Sequence, residues 1–301
     1  MLNPTLIRGS MHYWRIEPDR RLQPGVQCYA LVNPAHPMAS HSSLPEFEEQ
    51  VLLPDGYSEI VFVLDGRFER RPVGQARPRA VMASSYVIGG RSSSIVASNL
   101  TPVRVASVKL DPRLLQKIIG IPLDEFRDGV VTVNDLGCKE LLRLEDAVAN
   151  ASSASGIASV LDTFLLRMPR ISHSRRSAVT ELLRGVHGTH GTLSIMEFLR
   201  ARDLNARTME RHFGACMGMT PKQYARIVRF KRSYGRLMLG GPDRGNVKAH
   251  LEGYYDQSHF DRDFKRFLGV SPREQIAGRS AWTTTVSDHL LEQDLAANGG
   301  S

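Results

Sequence analysis

No stretch of about 18 consecutive apolar residues occurs in the sequence, so no segment is built to cross a membrane as a helix. Cysteine is scarce. Cys28, Cys138 and Cys216 are odd in number, far apart and without a C-x-x-C pair, which excludes a disulfide framework and fits reduced thiols in a cytoplasm. The opening MLNPTLIRGSMHYW lacks a basic segment followed by an apolar one, so no secretory signal is expected. Histidine is thin in the N-terminal half: His12, His36 and His41 form no His-x-His pair, so the ligand cluster of a metal-dependent β-barrel enzyme is missing. There is no G-x-x-x-x-G-K-[ST] phosphate loop and no G-x-S-x-G nucleophile elbow. These absences point away from an enzyme, imply no cofactor and name no catalytic residue.

What is present is an uneven basic charge. The 301 residues carry a net charge of +8 and are 42% hydrophobic, enough for packed cores in two domains. Residues 170–279 hold 21 Lys/Arg against 10 Asp/Glu, whereas the rest holds 18 against 21. A mildly acidic part joined to a strongly basic one suggests a division of labour, with the basic part as the polyanion binder.

Residues 1–135 read as strands: VQCYALV (26–32), EIVFVLDGRFER (59–70), AVMASSYVI (80–88), SSIVAS (93–98) and VRVASVKL (103–110) are short and rich in β-branched residues. Asp65-Gly66 predicts a two-residue hairpin, and the strand spacing predicts a sandwich or barrel. A short helix is expected after Pro112, with Leu114, Leu115, Ile118 and Ile119 on one face. Two helices follow within 138–168. Their apolar residues, Leu141, Leu142, Leu144, Val148, Leu161, Phe164 and Leu165, suit either a pairing surface between two copies or a cover for the barrel's own core. RISHSRR (170–176) reads as a linker, and the tail from about 280 lacks an amphipathic pattern.

The basic part contains a repeat. Shifted by 51 residues, NARTMERHFGACMGMTPKQ (205–223) falls on DQSHFDRDFKRFLGVSPRE (256–274): Asn205 on Asp256, Met209 on Phe260, Arg211 on Arg262, Phe213 on Phe264, Gly218 on Gly269 and Pro221 on Pro272. Each copy reads as a helix-turn-helix. In the first, Ser194 and Glu197 make a capping box, a short helix follows, 202–204 make the turn, and Asn205 caps a helix over 206–216 with Met209, Phe213, Cys216 and Met217 on one stripe. In the second, Ala249 and Leu251 lie in the short helix, Gly253 at the turn and Asp256 at the cap. Its buried stripe is Phe260, Phe264, Phe267 and Leu268. Thr220-Pro221-x-Gln223 and Ser271-Pro272-x-Glu274 then open further helices. The helix over 221–239 is roughly 28 Å long, close to the about 34 Å between successive major grooves on one face of a duplex. One chain can thus offer a recognition helix to each of two neighbouring grooves.

RTMERHF (207–213), GMTPKQYARIVRFKR (218–232) and above all GYYDQSHFDRDFKRFLGVSP (253–272) resemble the DNA-binding domain of the AraC/XylS transcription regulators. The resemblance spans residues 180–278 and implies seven helices, with recognition helices near 206–214 and 257–265. It implies base-facing positions at Arg207, Glu210 and Arg211, then Gln257, Ser258, Asp261 and Arg262, while His259 and Phe260 pack or touch backbone. Lys248 stands where the family has an aliphatic residue, Asp203 where it has a turn Gly, and Tyr254 where it has Phe. Residues 53–64 and 105–136 resemble an uncharacterised β-rich, cupin-like domain found ahead of such domains, followed by dimerising helices. The expected fold is therefore α+β: a cupin-like barrel with helices (1–137), a helical dimerisation or linker region (138–175), an all-α domain with two helix-turn-helix motifs on one long helix (176–279) and a tail (280–301). The expected function is a cytoplasmic, sequence-specific regulator of double-stranded DNA, an activator by family habit, with RNA polymerase as a partner. A small-molecule effector and a homodimer stay open. The alternative is a cupin-like enzyme or ligand carrier fused to a nonspecific nucleic-acid-binding module.

Overall fold

A computed structural model describes residues 5–7, 11–34, 50–74, 80–168, 177–239, 251 and 253–276. The predicted linker 170–176, Lys248 and Ala249 of the second motif's short helix, and the tail 280–301 lie outside the described residues, as do His36 and His41; Leu251, expected in that short helix, is described and is not helical.

Eleven strands are described: β1 (Thr5–Ile7), β2 (Met11–Ile16), β3 (Val26–Pro34), β4 (Gln50–Leu52), β5 (Ser58–Asp65), β6 (Phe68–Pro72), β7 (Ala80–Met82), β8 (Tyr86–Ile88), β9 (Ile95–Asn99), β10 (Arg104–Leu110) and β11 (Val130–Thr132). They form two antiparallel sheets, of order β1-β2-β3-β10-β5-β8-β11 and β4-β9-β6-β7. The central strands of the larger sheet are buried on both faces, and strand alternation divides their residues. Tyr29 and Leu31, Ile60 and Phe62, and Ala106, Val108 and Leu110 join one core with the helices α1 (Pro112–Ile119), α2 (Val133–Leu136), α3 (Lys139–Ala149) and α4 (Ala154–Leu165). The intervening residues Cys28, Ala30, Val61, Val105, Ser107 and Lys109 face the interior between the sheets.

Two strand expectations need correction. β5 and β6 do not form a hairpin: β5 pairs with β10 and β8, whereas β6 pairs with β7 and β9. Asp65-Gly66 instead carries the chain from one sheet to the other, with Gly66 at φ 82, because the apolar faces of the two strands belong to opposite walls of the barrel. For the same reason 80–88 is two strands, β7 and β8, one in each sheet. The helix faces offered for pairing also find a use inside the chain: Leu141, Leu144, Val148, Leu161 and Leu165 are buried in its own core, and Leu142 and Phe164 are half-buried against it.

The described residues of the C-terminal part form helices joined by short turns, with no strand among them: α5 (Ala178–Gly188), α6 (Ile195–Arg200), α7 (Ala206–Met217), α8 (Pro221–Leu239), α9 (Gln257–Leu268) and α10 (Pro272–Ile276). Its core is rich in aromatics, with Phe213, Phe230, Tyr234, Phe260, Phe264 and Phe267 all at or below 2% exposure, and it also takes in Val51 and Val96 from the smaller sheet and Leu53 just after β4. The two parts therefore share one apolar cluster.

Candidate nucleic-acid interface

Side-chain caps are present at the starts of α6, α7 and α9. The Ser194 side chain accepts from the Glu197 amide (3.3 Å), Asn205 from that of Thr208 (3.0 Å) and Asp256 from that of His259 (2.7 Å). Both later boxes close reciprocally. Thr220 N–H donates to the Gln223 side chain (2.8 Å) and Gln223 N–H to the Thr220 hydroxyl (3.2 Å). Ser271 and Glu274 repeat this at 2.7 and 3.3 Å. Each satisfies orphan amides of a helix start. Asp203, in the first turn, holds φ 51, the left-handed conformation that Gly or Asp tolerates.

These caps fix which face of each recognition helix is buried. On α7 Met209, Phe213 and Met217 point inward, and Arg207, Glu210 and Arg211 are exposed. On α9 Phe260, Phe264, Phe267 and Leu268 point inward, Ser258 and Arg262 are exposed, and Gln257 and Asp261 are half-buried. Arg262 Nε donates back to the Ser258 carbonyl at 3.2 Å. The structure thus gathers the expected base-facing residues into two clusters, one on α7 and one on α9, at the two sides of the 19-residue helix α8. Cys216 is half-buried against the core, and burial pushes its thiol pKa up, as suits a packing residue.

The sequence reading missed a seam that joins the β-rich part to α7 and α8. A Cβ on Gly90 would collide with the Met217 carbonyl, and a Cβ on Gly218 would come within 2.7 Å of the Gly90 amide nitrogen. Only glycine lets these two backbones touch. Arg113 on α1 donates to the Thr180 hydroxyl on α5 (2.9 Å). Tyr224, near the start of α8, lies beside Gly56 and shares a 2.7 Å hydrogen bond with His187 Nε2. His187 is exposed as a residue, yet its Nε2 end is packed; desolvation there, then the charge of Lys231, lowers its pKa.

Behind the seam lies a cavity of about 190 Å³ between the two sheets. Its walls are largely apolar, from residues such as Val61, Phe68, Ile88, Ile95, Val103 and Val105, and Lys231 of α8 closes one side. Lys109 and Asp55 form a 2.6 Å ion pair there, each side chain 13% exposed. Burial alone would raise the Asp55 pKa, but Lys109, Lys231 and Arg91 hold it down to about 2. Burial lowers and Asp55 and Glu59 raise the Lys109 pKa, with a net rise. Arg91 donates to the Leu52 and Leu53 carbonyls at 3.3 and 3.2 Å. The signal was in the strand alternation: Lys109 and Glu59 are register partners on an inward face that also carries Val61 and Val105. Among the described residues, no group of three His, Cys, Asp or Glu side chains is placed to hold a metal ion. No helix among them is long and apolar enough to cross a membrane.

Residues 199–276 match the family described as "Helix-turn-helix domain", and residues 14–132 match a domain of unknown function (DUF6597). No curated protein matches the chain. Among solved structures, the chain is similar to ToxT from Vibrio cholerae at 10% identity, over 84% of this chain and 98% of that one, with a TM-score of 0.44. It is similar to the AraC-like transcriptional activator CuxR at 11% identity, over 84% and 91%, with a TM-score of 0.31. A predicted oxalate decarboxylase from Thermotoga maritima is similar over 36% of this chain and 92% of that one, at 16% identity and a TM-score of 0.27. The C-terminal part carries an AraC-type helix-turn-helix domain.

Proposed function

We propose that the protein reads duplex DNA with α7 and α9 in successive major grooves, using Arg207, Glu210 and Arg211 at one half-site and Gln257, Ser258, Asp261 and Arg262 at the other. The observation that carries this reading is the duplicated, identically capped helix on either side of α8. The division into a barrel (1–137), a helical region (138–175), a DNA-binding domain (176–279) and a tail (280–301), the cytoplasmic location, activation through RNA polymerase and pairing of two copies belong to the same reading. Selection of bound duplexes from a random library tests it: two motifs about one helical turn apart are expected, and a single motif or none overturns it.

The input site is the cavity between the sheets. Its apolar walls suit a compact apolar body, and the cations Arg91, Lys109 and Lys231 outnumber the carboxylates Asp55 and Glu59 among its lining residues, which suits one anionic group. Lys231 belongs to the helix that spaces the two recognition helices, so an occupant would touch the DNA-reading geometry directly. Thermal shifts with a panel of apolar monocarboxylates, against their amides and against Lys231→Gln, check this. Stabilisation by the acids that Lys231→Gln weakens is expected; equal response to acids and amides contradicts the anionic class.

A further inference from the structure

Asp263 is the one acidic side chain among the buried residues of α9, at 6% exposure, on the same inward face as Phe260, Phe264 and Phe267. It meets α8 at two points. Arg226 Nε lies 3.5 Å from one carboxylate oxygen and Arg229 Nη2 lies 3.5 Å from the other. Arg226 and Arg229 are three residues apart on α8 and therefore share a face. Arg229 is itself confined: its guanidinium lies 4.8 Å from the centre of the Tyr254 ring, and its stem runs beside Gly253, in the turn that leads into α9.

The aromatic contacts between the same helices, Phe230 with Phe267 (4.5 Å between ring centres) and Phe230 with Phe264 (5.7 Å), hold α9 against α8. Apolar burial is itself non-directional, so a charged contact adds a geometric constraint beyond the area the rings bury. The 3.5 Å separations make these ion pairs rather than short hydrogen bonds, but a buried carboxylate is tolerated only where both cations can approach it, and buried ionic groups are best attested as devices that set register. The first copy has no counterpart. The position 51 residues earlier is His212, exposed on α7.

We propose that Asp263 is a positioning residue: held by Arg226 and Arg229, it fixes the rotation of α9 on α8 and so the separation between half-sites that the protein accepts. The inference rests on the reading that α7 and α9 occupy successive grooves. Rotation of α9 would move Gln257, Ser258, Asp261 and Arg262 together, so loss of the pin would blur spacing rather than abolish base reading.

The test uses the full chain and its own selected site, in duplexes whose half-site separation is lengthened or shortened by one or two base pairs. Wild type is expected to favour one separation sharply. Asp263→Asn, equal in shape and without charge, is expected to lower the preference for that separation over its one-base-pair neighbours by about tenfold, while base preference within each half-site is kept. Asp263→Glu, which restores the carboxylate, is expected to recover part of the preference. If Asp263→Asn does not fold, Arg226→Gln leaves Arg229 on the carboxylate and should shift the profile in the same direction by less. A profile of wild-type shape, with affinities unchanged or uniformly lowered, overturns the proposal. A wild type indifferent to the second half-site would overturn the two-groove reading itself, and that result is visible before any variant is made.

Discussion

α7 and α9 have the same kind of cap, the same inward stripe and the same following Pro-led helix, yet the molecule holds them differently. α7 is wedged between α8 and the β-rich part, where the Gly90 backbone touches Met217 and Gly218 and where Asp124 lies beside Gly214. α9 lies on α8 through stacked aromatics and the Asp263 pair, and meets the β-rich part at its end, where Val73 lies beside Gly269. One repeated sequence plan thus has two kinds of support. The first copy packs mainly on the barrel, and the second mainly on α8.

The largest expected effect comes from removing an aromatic anchor. Phe264 is fully buried and touches the rings of Phe230, Tyr234 and Phe260. Phe264→Ala should cost about 3–5 kcal/mol and lower the melting temperature, and hydrogen exchange should show the loss in α9 and α8 with the barrel spared. Phe213→Ala should cost a similar amount but spread into the seam, because Phe213 packs on Tyr224, which touches Gly56. Equal exchange patterns for the two variants would remove the distinction between the copies.

The repeat, the caps, α8 at 221–239 and the buried stripes were legible because each rests on local rules: a polar cap, a helical period, a Pro at the first turn. The partition of strands between two sheets was not. Asp65-Gly66 suits a hairpin and a sheet-crossing corner equally, and only long-range pairing of β5 with β10 and of β6 with β9 separates them. The seam was hidden for a similar reason. Gly90 has no side chain to mark it, and its role appears only when the Met217 carbonyl is beside it. Asp263 sat in plain sight within FDRDF, but its burial depends on two arginines more than thirty residues away in the chain.

The next effect, in the range of about 1–3 kcal/mol for overpacking, belongs to the seam. Gly90→Val places side-chain atoms where the Met217 backbone lies. Exchange should rise at the C-terminal end of α7 and remain at wild-type level in α9. A variant with unchanged protection at Met217 and Gly218 would show that the contact contributes nothing.

The readout of bases sharpens the comparison further. A two-point Arg–guanine contact is worth about 1–3 kcal/mol of discrimination. Arg211→Ala and Arg262→Ala should each relax preference at a separate half-site. Arg262 is expected at the lower end, since its Nε must first leave the Ser258 carbonyl. Binding-site selection with each variant measures this; equal losses on selected and random DNA would make both residues phosphate contacts.

The last effect, read only as pH falls, concerns the ion pair beneath α8. The folded Asp55 pKa of about 2 lies below its ordinary value of 3.8, so the unfolded chain takes up this proton first as pH falls. The pair's contribution is therefore complete above about pH 4 and is lost as pH drops toward 2. Lys109, Lys231 and Arg91 are the cations that face Asp55, and Glu59 lies beside Lys109. Asp55 is near the seam, so α7 should lose protection in acid before α9 does. Melting curves from pH 5 to pH 2 should fall more steeply for wild type than for Asp55→Asn, which has no carboxyl to titrate. Parallel slopes, or a simultaneous loss of α7 and α9 protection, would mean that this pair does not link the barrel to the first copy.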